Sequence, residues 1–224
     1  MISIQKSEIQ LDVNGKSVNA YLASPANGGP GVLVLPSWWG LKPFFKQVCD
    51  QLAEHGYTAL APDYYDGRVP KTIEEAKELQ GLTEGTNPEL IGDMVKAAKD
   101  YLISLTKNKI GVIGLSMGTW WSLVTAEDEP DIAAVILFYG TGQMDFSRVK
   151  AKVLGHFAEV DEWESLDNVH TMEQDMKNAG VDVTIHIYPG VAHWFMESDR
   201  PEYDSAAARL AWDRTFEFLK KNLG

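Results

Sequence analysis

Residues 109–123, Lys-Ile-Gly-Val-Ile-Gly-Leu-Ser-Met-Gly-Thr-Trp-Trp-Ser-Leu, constrain the fold more than any other stretch of the chain. Ile110 to Leu115 is apolar without alternation, the pattern of a strand buried on both faces. Trp120 to Glu127 reads as a helix. Between them lies Gly-x-Ser-x-Gly, Gly114 to Gly118, which predicts a sharp strand-to-helix turn with Ser116 at its apex. Neither glycine carries a Cβ, so neighbouring backbone can close around a strained turn. A buried strand feeding directly into a helix is the building block of a parallel α/β sheet. A serine pushed out of such a turn becomes a useful nucleophile only beside a base and an oxyanion site. The N–H of Met117, at the helix start, is a candidate oxyanion donor because helix starts leave N–H groups unpaired.

The rest of the chain fits that sheet. Ile2 to Leu11 and Ser17 to Ser24 flank Asn14-Gly15, a hairpin signal. Gly31 to Leu35 is a short apolar strand ending in Pro36-Ser37-Trp38-Trp39-Gly40. Phe44 to His55 has helical spacing and stops at Gly56, and Tyr57 to Ala61 is the next strand. Residues 64–87 form a polar excursion with a short helix over Ile73 to Gln80. A longer helix runs from Pro88, a proline in the first turn, to Leu105. Strands follow at 132–139, 152–157 and 183–188, with helices at 169–179 and 203–222. The expected architecture is a mostly parallel central sheet with helices on both faces and an N-terminal antiparallel hairpin. The short stretch between Tyr139 and Lys152 leaves no room for a helical lid domain. No linker, repeat or low-complexity tract divides the sequence, so 1–224 is expected to be a single domain.

Bulk properties narrow the partners. At 224 residues and 45% hydrophobic, the chain can bury a large core. A formal net charge of -12 argues against nucleic acid and anionic membrane surfaces. The one cysteine, Cys49, rules out an intrachain disulfide. The N-terminus lacks the apolar core of a signal peptide, and no apolar run reaches membrane-spanning length. A soluble cytoplasmic protein, monomeric or a small homo-oligomer, is expected.

In such sheets ligands bind at the carboxyl ends of the strands, and Ser37, Ser116, Asp161 and His193 all fall just there. Of five histidines, His55, His156, His170 and His186 lie within helices or strands and read as structural or solvated. His193 instead follows the last strand on a loop held by Pro189 and Gly190, where an aimed imidazole can act as base. The acid that orients it should follow an earlier strand. Asp161 stands further past the strand end than Glu159, the weaker candidate. Asp161 can equally be the cap of a following turn. Metal chemistry finds no H-E-x-x-H and no cysteine pair, so neither a metal nor another cofactor is expected.

With these positions placed, the chain resembles the dienelactone hydrolase family of α/β-hydrolases from about Ala20 to Leu223. The resemblance lies in Leu52 to Tyr64, the Ser116 turn, Gly155 to Asp161, Tyr188 to Phe195, and the tail Tyr203 to Thr215. It implies an α/β-hydrolase fold with Ser116 as nucleophile, Asp161 as acid and His193 as base. It also implies a second oxyanion donor, the backbone N–H of Trp38. Three positions depart from the founding enzymes of the family, which carry cysteine at 116, glutamate at 37 and arginine at 197. Here these are Ser116, Ser37 and Glu197. A carboxylate at 197 would repel an anionic substrate, so dienelactone itself fits poorly. Ser37, Trp39, Trp120, Trp194 and Glu197 are the candidate pocket residues.

The reaction expected is hydrolysis of a small, neutral ester or lactone through a Ser-His-Asp triad and an acyl-enzyme. Alternatives are an acyltransferase or perhydrolase with the same triad, dienelactone hydrolase proper, and a binding protein that has kept the fold.

Overall fold

The structure, a computed structural model, describes residues 3–86 and 89–224. The expected strand start at Ile2 and the proline at 88 lie outside the described residues. The chain divides into two compact units, residues 1–110 and 111–224.

In the first unit, β1 (Ile4–Val13) and β2 (Lys16–Pro25) form the antiparallel hairpin, closed by Asn14 and Gly15, both at positive φ. β4 (Thr58–Pro62) pairs antiparallel with β2 and parallel with β3 (Gly31–Leu35), so the strand order is β1-β2-β4-β3. β3 and β4 are buried at every residue, as strands covered on both faces must be. The cover comes from α1 (Pro43–Glu54) and α3 (Leu90–Thr106). α1 turns Phe44, Phe45, Val48, Cys49 and Leu52 inward, one helical face. α3 does the same with Ile91, Met94, Val95, Ala98 and Leu102, and Lys107 ends it in a left-handed conformation. Between them, α2 spans Ile73–Thr86, longer than the helix expected to stop at Gln80. Gly81, inside this extension, is an exposed helical residue rather than a stop.

In the second unit the order is β5 (Ile110–Leu115), β6 (Ile132–Phe138), β7 (Lys152–Ala158) and β8 (Val183–Tyr188), with β6–β7 and β7–β8 parallel. α4 (Met117–Ala126) begins at Met117, the helix start expected for its oxyanion N–H, three residues before the apolar pattern that begins at Trp120. α5 (Leu166–Asn178) also starts three residues early, where the Ser165 hydroxyl accepts from Asn168 N–H as an N-cap. α6 (Ser205–Leu223) packs Ala208, Ala211, Thr215 and Leu219 against β6 and β7. Between β6 and β7 there is one 3-10 turn, Phe146–Arg148. Beyond the hairpin, the β3–β4, β6–β7 and β7–β8 pairs are parallel, and helices pack over the strands of each unit, as in an α/β-hydrolase fold. No described helix is long and apolar enough to cross a membrane.

Candidate active site

The elbow follows from its neighbours. Ser116 has φ 53 and ψ −115, a conformation that costs about 1–3 kcal/mol for a side chain with a Cβ. Two backbone bonds hold it: its N–H donates to Phe138 O at 2.9 Å, and its carbonyl accepts from Thr119 N at 2.8 Å. The glycines beside it are sterically required. A Cβ on Gly114 would sit 2.2 Å from Ser122 Oγ and 2.3 Å from Gly118 O, and one on Gly140 would sit 2.5 Å from Ser116 O. Met117 is the first helical residue, so its N–H has no acceptor within α4.

Ser116 Oγ lies 3.1 Å from His193 Nε2, and His193 Nδ1 lies 2.8 Å from Asp161 Oδ2. Residues 77 and 32 positions apart in the chain thus form one continuous hydrogen-bonded line. Asp161 also does what the alternative sequence reading asked of it. Its Oδ1 accepts from Trp163 N at 2.8 Å and Glu164 N at 2.9 Å, capping the turn after β7. Glu159 is turned elsewhere: Oε2 accepts from Gly190 N at 2.8 Å and fastens the loop that precedes His193. The carboxylate facing the imidazole is Asp161.

His193 is clamped between aromatic rings. Tyr139 lies 4.8 Å from it and Trp194 stands edge-on at 4.9 Å, centroid to centroid. Trp194 is buried, with the Arg200 guanidinium stacked 4.2 Å from its ring centroid. Arg200 in turn makes two 3.1 Å bonds to Glu202. Glu197 is fully buried and accepts from Tyr139 Oη at 3.0 Å. It therefore belongs to the packed base of the histidine loop rather than to an open pocket wall. Trp120 is 39% exposed on α4, its ring edge against Gly142. A cleft of about 450 Å³ opens beside His193 and Trp194, bordered by Val160 and the carboxylates of Glu159, Glu162 and Glu202.

Ser37, Trp38 and Trp39 belong to the first unit, in the turn after β3. Ser37 is buried, with its carbonyl accepting from Gly40 N at 3.0 Å and its hydroxyl near Trp39 N at 3.4 Å. The Trp38 and Trp39 rings meet edge to face at 5.8 Å.

His156, read from sequence as structural, is buried between Tyr188 Oη (2.9 Å from Nδ1) and Thr215 Oγ1 (3.1 Å from Nε2), and stacks on Phe138. Burial pushes its pKa well below the usual histidine value, with the His186 and Arg214 charges acting the same way. Tyr139 was not singled out by sequence. The signal was present, because it follows a strand end just as Asp161 and His193 do. No group of three or more His, Cys, Asp or Glu side chains able to hold a metal ion occurs among the described residues.

Comparisons with known proteins place the chain's family. The family model described as "Dienelactone hydrolase family" matches residues 18–223. "Protein usf" of Aquifex pyrophilus is 34% identical over 96% of this chain and 98% of its own length. Among solved structures, a dienelactone hydrolase-like promiscuous phosphotriesterase, P91, from metagenomic libraries superposes with a TM-score of 0.86 at 20% identity, covering 99% of both chains. A cold-adapted esterase from an Arctic intertidal metagenomic library gives 0.72 at 21% identity, over 100% of this chain and 96% of the other. At those identities the two structures speak for the fold, and the family match speaks for the lineage. The chain belongs to the dienelactone hydrolase family, and with it to the carboxylic-ester hydrolases.

Proposed function

We propose that the protein is a serine hydrolase of small, neutral esters or lactones, working through Ser116, His193 and Asp161 and an acyl-enzyme. The observation that carries this reading is the unbroken line Asp161 Oδ2–His193 Nδ1 and His193 Nε2–Ser116 Oγ, at 2.8 and 3.1 Å. With Asp161 accepting from Nδ1–H, the Nε2 lone pair faces the serine hydroxyl, which is the tautomer a general base needs. Ser116 Oγ attacks the ester carbonyl as its proton passes to Nε2. The carbonyl π pair moves onto oxygen, where the Met117 N–H stabilises it. The collapsing intermediate expels the alkoxide, which takes the proton from Nε2. Water then repeats the sequence on the acyl-enzyme, and the acid leaves.

A second oxyanion donor, the Trp38 N–H, is part of the proposal on the strength of the family resemblance. The reaction requires the free Nε2 lone pair of His193.

Three features support a neutral substrate. Glu197 stands where the founding enzymes carry arginine. The Arg200 guanidinium is taken up by Trp194 and Glu202. Carboxylates border the cleft beside His193. The test is a side-by-side panel of neutral aryl esters, neutral lactones and dienelactone, run with wild type and Ser116→Ala. Turnover of the neutral compounds that disappears in the variant is expected. Wild-type rates in Ser116→Ala, or a preference for dienelactone, would overturn the corresponding half of the proposal.

A further inference from the structure

Phe138 and Tyr139, consecutive residues at the end of β6, touch both working ends of the hydrogen-bonded line. Phe138 O holds Ser116 N, while the Tyr139 ring packs on the His193 imidazole. Tyr139 is itself held in an unusual place: φ is 41, its N–H donates to His156 O at 2.9 Å, and its ring is fully buried. Its hydroxyl reaches Glu197, four positions beyond His193 on the same loop.

That loop is a chain of turns. Phe195 N bonds Ala192 O, Glu197 N bonds Trp194 O at 2.8 Å, and Arg200 N bonds Glu197 O at 2.9 Å. Trp194, next to the histidine, sits at φ 64, a strained value for an aromatic residue. Turns of this kind fix local shape, but they do not fix where the loop stands over the sheet. Glu159 to Gly190 N and Val160 N to Val191 O tie down the stretch before His193, and the Glu197–Tyr139 bond ties down the stretch after it. A fully buried carboxyl group is costly unless it is well bonded, and an apolar residue of similar size would pack there more cheaply. Burial, reinforced by Glu197, holds the Tyr139 hydroxyl in its neutral, donating form well beyond the usual tyrosine range.

We propose that Tyr139 and Glu197 are positioning residues whose hydrogen bond sets the His193 imidazole against Ser116. The inference rests on the reading of His193 as the base acting on Ser116.

The test uses the full-length protein and the variants Tyr139→Phe, Glu197→Gln, Glu197→Leu and the double variant Tyr139→Phe/Glu197→Leu. Four quantities are read: the urea midpoint, the rate of Ser116 labelling by a fluorophosphonate, kcat and KM on p-nitrophenyl acetate, and the downfield proton resonance of His193 Nδ1–H. Glu197→Gln keeps an acceptor for the tyrosine and should stay close to wild type. The single variants that strand one buried partner should lose both stability and rate. The double variant removes both polar groups and should regain most of the stability. It should still label roughly 10- to 100-fold more slowly, with kcat lowered, KM unchanged and the Nδ1–H resonance broadened.

Wild-type labelling and a sharp resonance in the double variant would overturn the proposal, whatever the urea midpoint. Should the double variant not fold, the same two readouts on Tyr139→Phe decide it. A wild-type protein that shows no labelling at Ser116 would instead overturn the proposed function, while the resonance comparison still judges the positioning role.

Discussion

Asp161 meets His193 with one carboxylate oxygen, Oδ2 at 2.8 Å from Nδ1, and holds two backbone N–H groups of its own turn with the other. Both duties need an oxygen acceptor. The backbone donors need an oxygen at Oδ1, and the imidazole N–H needs an oxygen at Oδ2. Asp161→Asn supplies only one. Keeping the turn intact points the new NH₂ at His193, favouring the wrong tautomer. The expected result is near-native stability with kcat lowered by about 10⁴-fold, a magnitude taken from the equivalent change in a well-studied triad. Steady-state kinetics beside a thermal melt check it.

Gly140→Ala should damage the elbow from outside it. The added Cβ would lie 2.5 Å from Ser116 O and 2.9 Å from Thr119 Oγ1. Backbone must move, at a cost of about 1–3 kcal/mol. The strained Ser116 is the group that yields, so esterase activity should fall along with the melting temperature. Gly81→Ala is the control. It sits in α2 with open space around it, and alanine there should stabilise by about 0.5–1 kcal/mol.

Stability should depend on pH through His156. Its folded pKa is depressed, so in mild acid the folded state carries fewer protons than the unfolded chain, whose histidine titrates near about 6.5. The contribution is complete above that value and drains as pH falls below it, by up to about 1.4 kcal/mol per pH unit for this one group. Urea midpoints at pH 7.5 and 5.5 measure the loss. His156→Gln should start less stable, having lost the bonds to Tyr188 and Thr215, and should show a shallower decline. The depressed carboxylates of Asp100, Asp128 and Asp145 titrate lower and leave this window to histidine.

Asp204 opens α6 by accepting from Ala206 N at 3.0 Å and Ala207 N at 2.8 Å. Asp204→Ala should cost about 0.5–2 kcal/mol without touching turnover of the folded enzyme. Chemical denaturation and kcat, measured on the same preparation, separate the two.

Much of this was readable because local pattern and chemistry coincide. The unbroken apolar run Ile110–Leu115 admits few structures besides a buried strand, and Gly114 leaves the turn one workable geometry. His193 and Asp161 were findable because ligand-facing loops follow strand ends in a parallel sheet. The early start of α5 was missed because Leu166-Asp167-Asn168 look like turn residues. They become helical through the Ser165 cap. Burial was the larger loss. A glutamate at 197 reads as a charged pocket wall, and nothing local announces that Tyr139, 58 positions away, meets it in the interior. Pairings across that distance are set by how strands stack, which single-residue chemistry does not encode.

Ser116, Asp161 and His193 all come from the second compact unit, residues 111–224. The proposed proton route thus lies in one continuous stretch of the chain, from residue 116 to residue 193. A recombination near residue 110 would therefore carry all three members of the proposed relay together in one segment.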